Sequence, residues 1–442
     1  MRDGRADGYH ARVLSTSANT PSRPHYAWVI FVTAFITLLG AAGFRSTPAI
    51  LIDPLRDEFG WTRSTVGTAV SINVILFGLM GPFAAALQLR YGLRRITIGA
   101  LAVISLGALG TTQMSEPWHL FLLWGAVVGA GSGCMATVFA STVAARWFVA
   151  RRGLVTGALT AATASGQLIF LPLLTRLADS YGWRWVGLSI ALCALAVIPI
   201  VGLFLRNSPA DMGLLPYGAA ADYEPPLPLT NPISAAFGAL NEARRDGIFW
   251  LLWGSFFVCG LSTTGLVQVH FLSAAHDHHL SGSTAAGYLA LIGVFDVVGT
   301  VTSGWCTDRY DPAKLLVFYY AFRGLSLLVL DPALASGGYG LLGFMAFYGL
   351  DWVATVPPTV ALCVQRFGVQ RGPLVYGWVF AGHQLGGAVA AAGAGYLRDL
   401  TGSYRSSFIV AGAFCMIAAV GASRMTGSRA HHVEAPKASV GV

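Results

Sequence analysis

Twelve stretches of the chain stay apolar for long enough to cross a bilayer, with short polar turns between them. They lie near 28–50, 64–88, 96–114, 118–143, 153–176 and 183–205, then 248–272, 284–306, 313–331, 338–362, 373–397 and 404–423. A hydrocarbon core about 30 Å thick takes about 20 residues of helix. None of the runs breaks into the strand-and-turn alternation of a barrel, and in lipid only a helix satisfies its own backbone at this length. The pattern therefore predicts an all-α membrane protein of twelve transmembrane helices. The gap at 206–246 holds Pro209, Pro216, Pro225, Pro226, Pro228 and Pro232 and reads as an irregular linker, not a further crossing. The expected organisation is a polar tail at 1–25, a six-helix bundle at 26–205, the linker, a second six-helix bundle at 247–424 and a tail at 425–442. The first tail lacks the short apolar run of a cleaved signal.

The two halves are one unit written twice. Arg152-Gly153-Leu154, Gly157, Gly166 and Asp179 return as Arg371-Gly372-Pro373-Leu374, Gly377, Gly386 and Asp399, about 220 residues further on. The loop Leu89-Arg90-Tyr91-Gly92-Leu93-Arg94-Arg95 has its echo in Asp308-Arg309-Tyr310-Asp311-Pro312-Ala313-Lys314. Such duplication predicts two pseudo-symmetric bundles with a central cavity between them.

Composition agrees. Of 442 residues, 55% are hydrophobic and 11% charged, with a mean hydropathy of +0.62. Soluble domains carry about 25% charged residues. The formal charge of +8 comes from basic residues scattered singly over loops, so no nucleic-acid partner is expected. Their distribution sets orientation. With the N-terminus inside, twenty Lys and Arg fall on the inner side and six on the outer, which predicts cytoplasmic termini and linker in a cytoplasmic (inner) membrane. The six cysteines all lie in apolar runs without paired spacing and read as small packing residues. Gly125, Gly129 and Gly133 recur every fourth residue on the fourth span, a helix-packing face.

The duplicated six-span plan and the loop motifs resemble the major facilitator superfamily. That family places Gly-x-x-x-Asp-Arg-x-Gly-x-Arg-Arg after its second span and a relative of it after its eighth. Here the first copy keeps Arg90, Gly92, Arg94 and Arg95 with Leu89 at the aspartate, and the second keeps Gly304, Asp308 and Arg309. Trp147-Phe148 followed by Arg151-Arg152-Gly153-Leu154, then Gly157 and Ser165-Gly166, looks like the fifth-span signature of the monocarboxylate-transporter-like branch. Tyr26-Ala27-Trp28 keeps the end of that branch's first-span signature. The resemblance implies a secondary transporter of a small organic anion working by alternating access, with a proton as co-substrate or with anion exchange instead. A drug or metabolite exporter and a non-transporting sensor are the other readings of the same scaffold. No enzymatic motif is present, no cofactor or metal is expected, membrane lipid is the surrounding partner, and a monomer is the expected functional unit.

Ionisable groups near mid-membrane are costly and mark candidate chemistry. They are Asp296 in the eighth span, Arg323 in the ninth, Asp351 in the tenth and His383 in the eleventh, with Arg45 in the outer part of the first. Asp296 reads as a proton carrier or as a fixed partner of Arg323, and Asp351 as a second proton-coupling group. The branch carries an arginine four residues after this aspartate, where Thr300 stands here. The guanidinium of Arg45 matches a carboxylate and is the expected anion clamp, or else it snorkels to the surface. Arg323 is a substrate-binding candidate or a structural pair with Asp351. His383, Asn73 and Gln167 are further candidates for lining the cavity. His270, His276, Asp277, His278 and His279 cluster at the outer end of the seventh span without the helical i, i+4 spacing of a metal site.

Overall fold

A computed structural model describes residues 24–223 and 231–426, and within these the side chains at 44–49, 52–53, 63–64, 167 and 283 lie outside the description. Among the described residues the crossings are helical apart from short turns at Ala42, 134–136 and 352–355. Spans two, three, five, six, eight, nine and twelve are Arg63–Tyr91, Leu93–Thr111, Arg152–Tyr181, Arg184–Phe204, Gly282–Thr307, Pro312–Ser336 and Arg405–Ser423. Spans four and seven, Pro117–Trp147 and Gly247–Asp277, each contain a π-helical stretch, Phe121–Val128 and Leu261–Val267. Large apolar side chains such as Leu106, Leu171, Leu192, Leu325 and Ile417 are exposed, because lipid and not water is the solvent for those faces.

Four expected elements come out differently, among them the fourth span, which a turn at 134–136 divides into helix ending at Gly133 and helix Thr137–Trp147. The first span breaks at Ala42 into Ala27–Ala41 and Gly43–Phe59. The tenth, expected as one run, is Gly338–Asp351 followed by non-helical residues and a resumption at Val356. It turns into the eleventh at Gly368, whose φ of 79° lies in the left-handed region that a side chain disfavours. The linker is not wholly irregular: Asn231 caps the helix Pro232–Ala243 by accepting from Ile233 N and Ser234 N, at 3.0 and 3.2 Å.

Glycine explains how the helices meet. On span four, a methyl at Gly125 would crowd Ile72, one at Gly129 the backbone of Asn73, and one at Gly133 the Met80 side chain, so the expected packing row faces span two. The halves meet along two seams, span five on eight and span two on eleven. At the end of the bundle that carries the linker, Gly157 backs onto the Thr300 carbonyl and Gly377 onto Pro82, pseudo-equivalent glycines of the duplicated unit. Span eleven also meets span four, where Tyr376 Oη donates to Thr137 Oγ1 at 2.9 Å. Asp308 accepts from Gly153 N at 2.6 Å and Leu154 N at 2.9 Å, placing its charge on the N-terminus of span five. The second loop motif thus fastens one half to the other; with Leu89 at the corresponding place, the first copy lacks that carboxylate.

Candidate functional site

The interruption of span ten is the structural centre of the second half. Where a helix stops inside a membrane, its freed N–H and C=O groups need partners from the protein. Side chains of spans eight and nine supply them. Arg323 Nη2 donates to the carbonyls of Asp351 and Trp352 at 2.6 and 3.2 Å. Val353 N donates to Asp296 Oδ1 at 3.1 Å, and Ser303 Oγ donates to the Ala354 carbonyl at 2.5 Å. Cys259 Sγ lies 3.3 Å from Thr355 Oγ1.

The same side chains pair with one another. Arg323 Nε donates to Asp351 Oδ2 at 2.6 Å, and its Nη1 reaches Cys259 Sγ at 2.9 Å. Thr300 Oγ1 donates to Asp296 Oδ1 at 2.8 Å, so the threonine at the branch's arginine position serves the aspartate as a hydrogen-bond donor. Asp296 is hydrogen-bonded to Thr300 and Val353 and not to Arg323; the guanidinium belongs to Asp351 and the broken backbone. Asp351 Oδ1 is buried without a hydrogen-bond partner.

His383 joins from span eleven. Its Nε2 lies 3.3 Å from Thr264 Oγ1 on the π-helical stretch of span seven, and its ring stacks against Phe380 with centroids 6.0 Å apart. The close approach of the two spans is enforced by glycine: a methyl at Gly260 would overlap the His383 carbonyl, and one at Gly386 the Phe257 carbonyl. Cys259 stands one residue before Gly260 and also neighbours His383. Asp296, Arg323, Asp351, Cys259 and His383 therefore form one connected cluster spanning helices seven to eleven.

Its charge is uneven. Among the described residues, Arg323 is the one Lys or Arg that is buried, at 0% exposure, against Asp296 at 3% and Asp351 at 6%. One guanidinium faces two carboxylates. With the thiol and imidazole neutral, the cluster is electrically balanced only when it holds one proton, and unbalanced charge in a membrane interior is strongly disfavoured. The cluster also touches the seam between the halves, since Thr300, the donor to Asp296, lends its carbonyl to the contact with Gly157.

The remaining candidates lie elsewhere. Asn73 Nδ2 donates to the Trp124 carbonyl at 2.8 Å, serving the π-helical stretch of span four within the first half. Gln384 is buried at the seam, where a methyl on Gly78 of span two would meet its Cγ at 2.7 Å. The side chains of Arg45 and Gln167 lie outside the described residues. The histidines by the seventh span disperse: His270 lies 3.2 Å from Tyr404 Oη and 2.9 Å from the Ala391 carbonyl, His278 lies 3.1 Å from Asp331, and Asp277 pairs with Arg398 at 2.9 Å. No group of three or more metal-ligating side chains suited to an ion occurs among the described residues. On the first half, Glu58 accepts from Trp183 Nε1 and from Arg184, at 2.6 Å each.

Two six-span helical halves, joined along two glycine-lined seams, with a buried ionisable cluster at mid-depth of one of them, define a membrane transporter fold. Comparison with known proteins makes the assignment specific. The family model of the Major Facilitator Superfamily matches residues 30–372 and, in an overlapping match, 273–440. The chain belongs to that superfamily. It is 25% identical to the uncharacterized MFS-type transporter YcxA of Bacillus subtilis, over 86% of this chain and 90% of the relative. It is 27% identical to human monocarboxylate transporter 11, over 94% of this chain and 88% of the relative. The solved structure of the E. coli fucose:proton symporter superposes with a TM-score of 0.63, covering 90% of this chain and 99% of that one at 16% identity.

Proposed function

We propose that this transporter moves a small organic anion, of the monocarboxylate class, across the cytoplasmic membrane by alternating access and in company with a proton. The observation that carries the coupling is the charge count of the buried cluster, one guanidinium for two carboxylates. A proton taken by Asp296 or Asp351 brings the cluster to neutrality; Asp296 accepts from Val353 N in the turn that interrupts span ten, and Asp351 is the last residue before that turn. Protonation is thereby tied to a non-helical segment that can shift with little loss of regular structure. The substrate class rests on relatives named as monocarboxylate transporters. Arg45, in the outer part of span one, is the proposed clamp for the carboxylate, with His383, Gln167, Asn73 and Arg323 as the further polar candidates.

Purified protein in proteoliposomes is expected to accumulate at least one labelled monocarboxylate when the outside is acid, and to lose that accumulation when a protonophore collapses the gradient. Transport of neutral or cationic compounds with no carboxylate taken up would sink this reading.

The linker end is proposed to face the cytoplasm, from the twenty-to-six distribution of Lys and Arg. Ala220 is exposed on the linker. An Ala220→Cys chain is expected to react with an impermeant maleimide only after the cells are opened, measured against the parent chain. Reaction in intact cells would reverse the orientation.

A further inference from the structure

The linker helix Pro232–Ala243 divides into three faces. Ala236, Ala239 and Ala243 are buried against the bundle, where the helix packs on spans two and eleven. Ser234, Gly238, Asn241 and Glu242 occupy the opposite, exposed side. Between them, Ile233 and Phe237 stand one turn apart and are 63% and 51% exposed, beside the half-buried Leu240. The chain then presents exposed Arg244 and Arg245, with Arg244 Nε on Asn241 Oδ1 at 3.0 Å, followed by the exposed Trp250, whose Nε1 donates to the Arg244 carbonyl at 2.8 Å.

The depth of this helix can be read from its neighbours. Phe237 packs on Phe83 of span two and Trp378 of span eleven, with ring centroids 5.5 and 5.8 Å away. Span two has 29 residues, about 43 Å of helix, so it overshoots a hydrocarbon core of about 30 Å by about 6 Å at each end. Phe83 lies eight residues, about 12 Å, from the span's end at Tyr91, which puts it about 6 Å inside the hydrocarbon edge. That is the depth at which an amphipathic helix seats its apolar face, about 5–10 Å below the headgroup boundary.

We propose that Pro232–Ala243 is an interfacial helix that sinks Ile233, Phe237 and Leu240 into the adjoining leaflet and holds anionic phospholipid headgroups at Arg244 and Arg245. On the orientation proposed above, that leaflet is the inner one, where anionic lipid attracts juxtamembrane basic residues. The helix is also a strap across the seam. Phe237 lies between an aromatic ring of each half, Trp378 Nε1 donates to the Ala236 carbonyl at 2.9 Å, and Glu242 pairs with Arg371 at the start of span eleven. Span five is fastened by Asp308; at the corresponding position for span eleven, where the loop carries Leu89, the carboxylate comes from the linker helix. Parting spans two and eleven at this end therefore requires the helix to peel from one half.

The test uses full-length protein in vesicles of phosphatidylcholine, with or without phosphatidylglycerol, carrying a spin label at Ile233→Cys or Ser234→Cys, with the signal of the unsubstituted chain subtracted. The label at 233 is expected to collide with dissolved oxygen and be shielded from an aqueous nickel chelate, and the label at 234 to do the reverse. Phosphatidylglycerol is expected to increase the shielding at 233, and Arg244→Gln/Arg245→Gln to remove that increase. Equal access of the nickel chelate to both labels in both vesicles would overturn the proposal, leaving a face open to water or to a soluble partner. Seating at 233 that ignores both phosphatidylglycerol and the arginines would overturn the headgroup site. The readout needs neither substrate nor a known orientation, so its failure is separable from failure of the transport reading.

Discussion

Arg323→Gln is expected to yield little folded protein, and Arg323→Gln/Asp351→Asn to recover a substantial part of it. Arg323 is buried among spans seven, nine and ten, and its fork serves Asp351 Oδ2, Cys259 Sγ and two carbonyls of the interrupted helix at once. Removing it strands the Asp351 carboxylate and two main-chain acceptors where no water replaces them. Breaking a buried pair from one side costs about 3–5 kcal/mol, a large share of the roughly 5–15 kcal/mol that keeps a typical protein folded. Neutralising Asp351 as well removes the stranded charge and leaves only neutral groups to satisfy, so the two substitutions should be far from additive. The measurement is the yield of monodisperse protein in detergent with its apparent melting temperature. Wild-type values for Arg323→Gln alone would show that the guanidinium is not needed to hold span ten.

Asp296→Asn is expected to behave oppositely, folding normally while losing gradient-driven uptake. Both bonds to Asp296 are donated to its oxygen, from Thr300 Oγ1 and Val353 N, and an asparagine carbonyl accepts the same two. The bond to the turn that interrupts span ten therefore survives, and Arg323 keeps its own partner in Asp351. What is lost is the ability to release a proton. A carrier that needs protonation and deprotonation for its empty return should stop accumulating substrate, while still exchanging labelled for unlabelled anion across the bilayer. Uptake and exchange, each normalised to folded protein, separate the two outcomes. Undiminished proton-driven accumulation in the variant would remove Asp296 from the coupling and leave it to Asp351.

Much of this is written locally in the chain. Runs of about twenty apolar residues can only be helices in lipid, so the crossings are set by composition and length, whatever packs beside them. The spacing of Gly125, Gly129 and Gly133 puts them on one face, and a face of glycine has one use in a membrane, which is to admit a neighbouring backbone. Asp296, Arg323, Asp351 and His383 stand out because each is costly where it lies. Their cost is a property of depth and can be counted from a span's ends.

Partnership is another matter. The apolar pattern runs through the break after Asp351, and its local mark is Pro357-Pro358, which open the resumed helix because neither has an N–H to give to a preceding turn. What the chain does not show locally is that side chains of spans eight and nine satisfy the groups the break frees. Cys259 reads as one more small packing residue until Arg323, more than sixty positions away, is seen to point at its sulfur. The linker helix is hidden in the same way, since its binding face is three alanines whose value depends on spans two and eleven lying behind them. The lipid solvent of this protein, its helical class and its costly mid-membrane residues each follow from one segment and the bilayer, and its duplication from laying two stretches of the chain side by side. Which charges pair and what ties the halves together are contacts between segments far apart in the chain, and they exist only once the helices are packed.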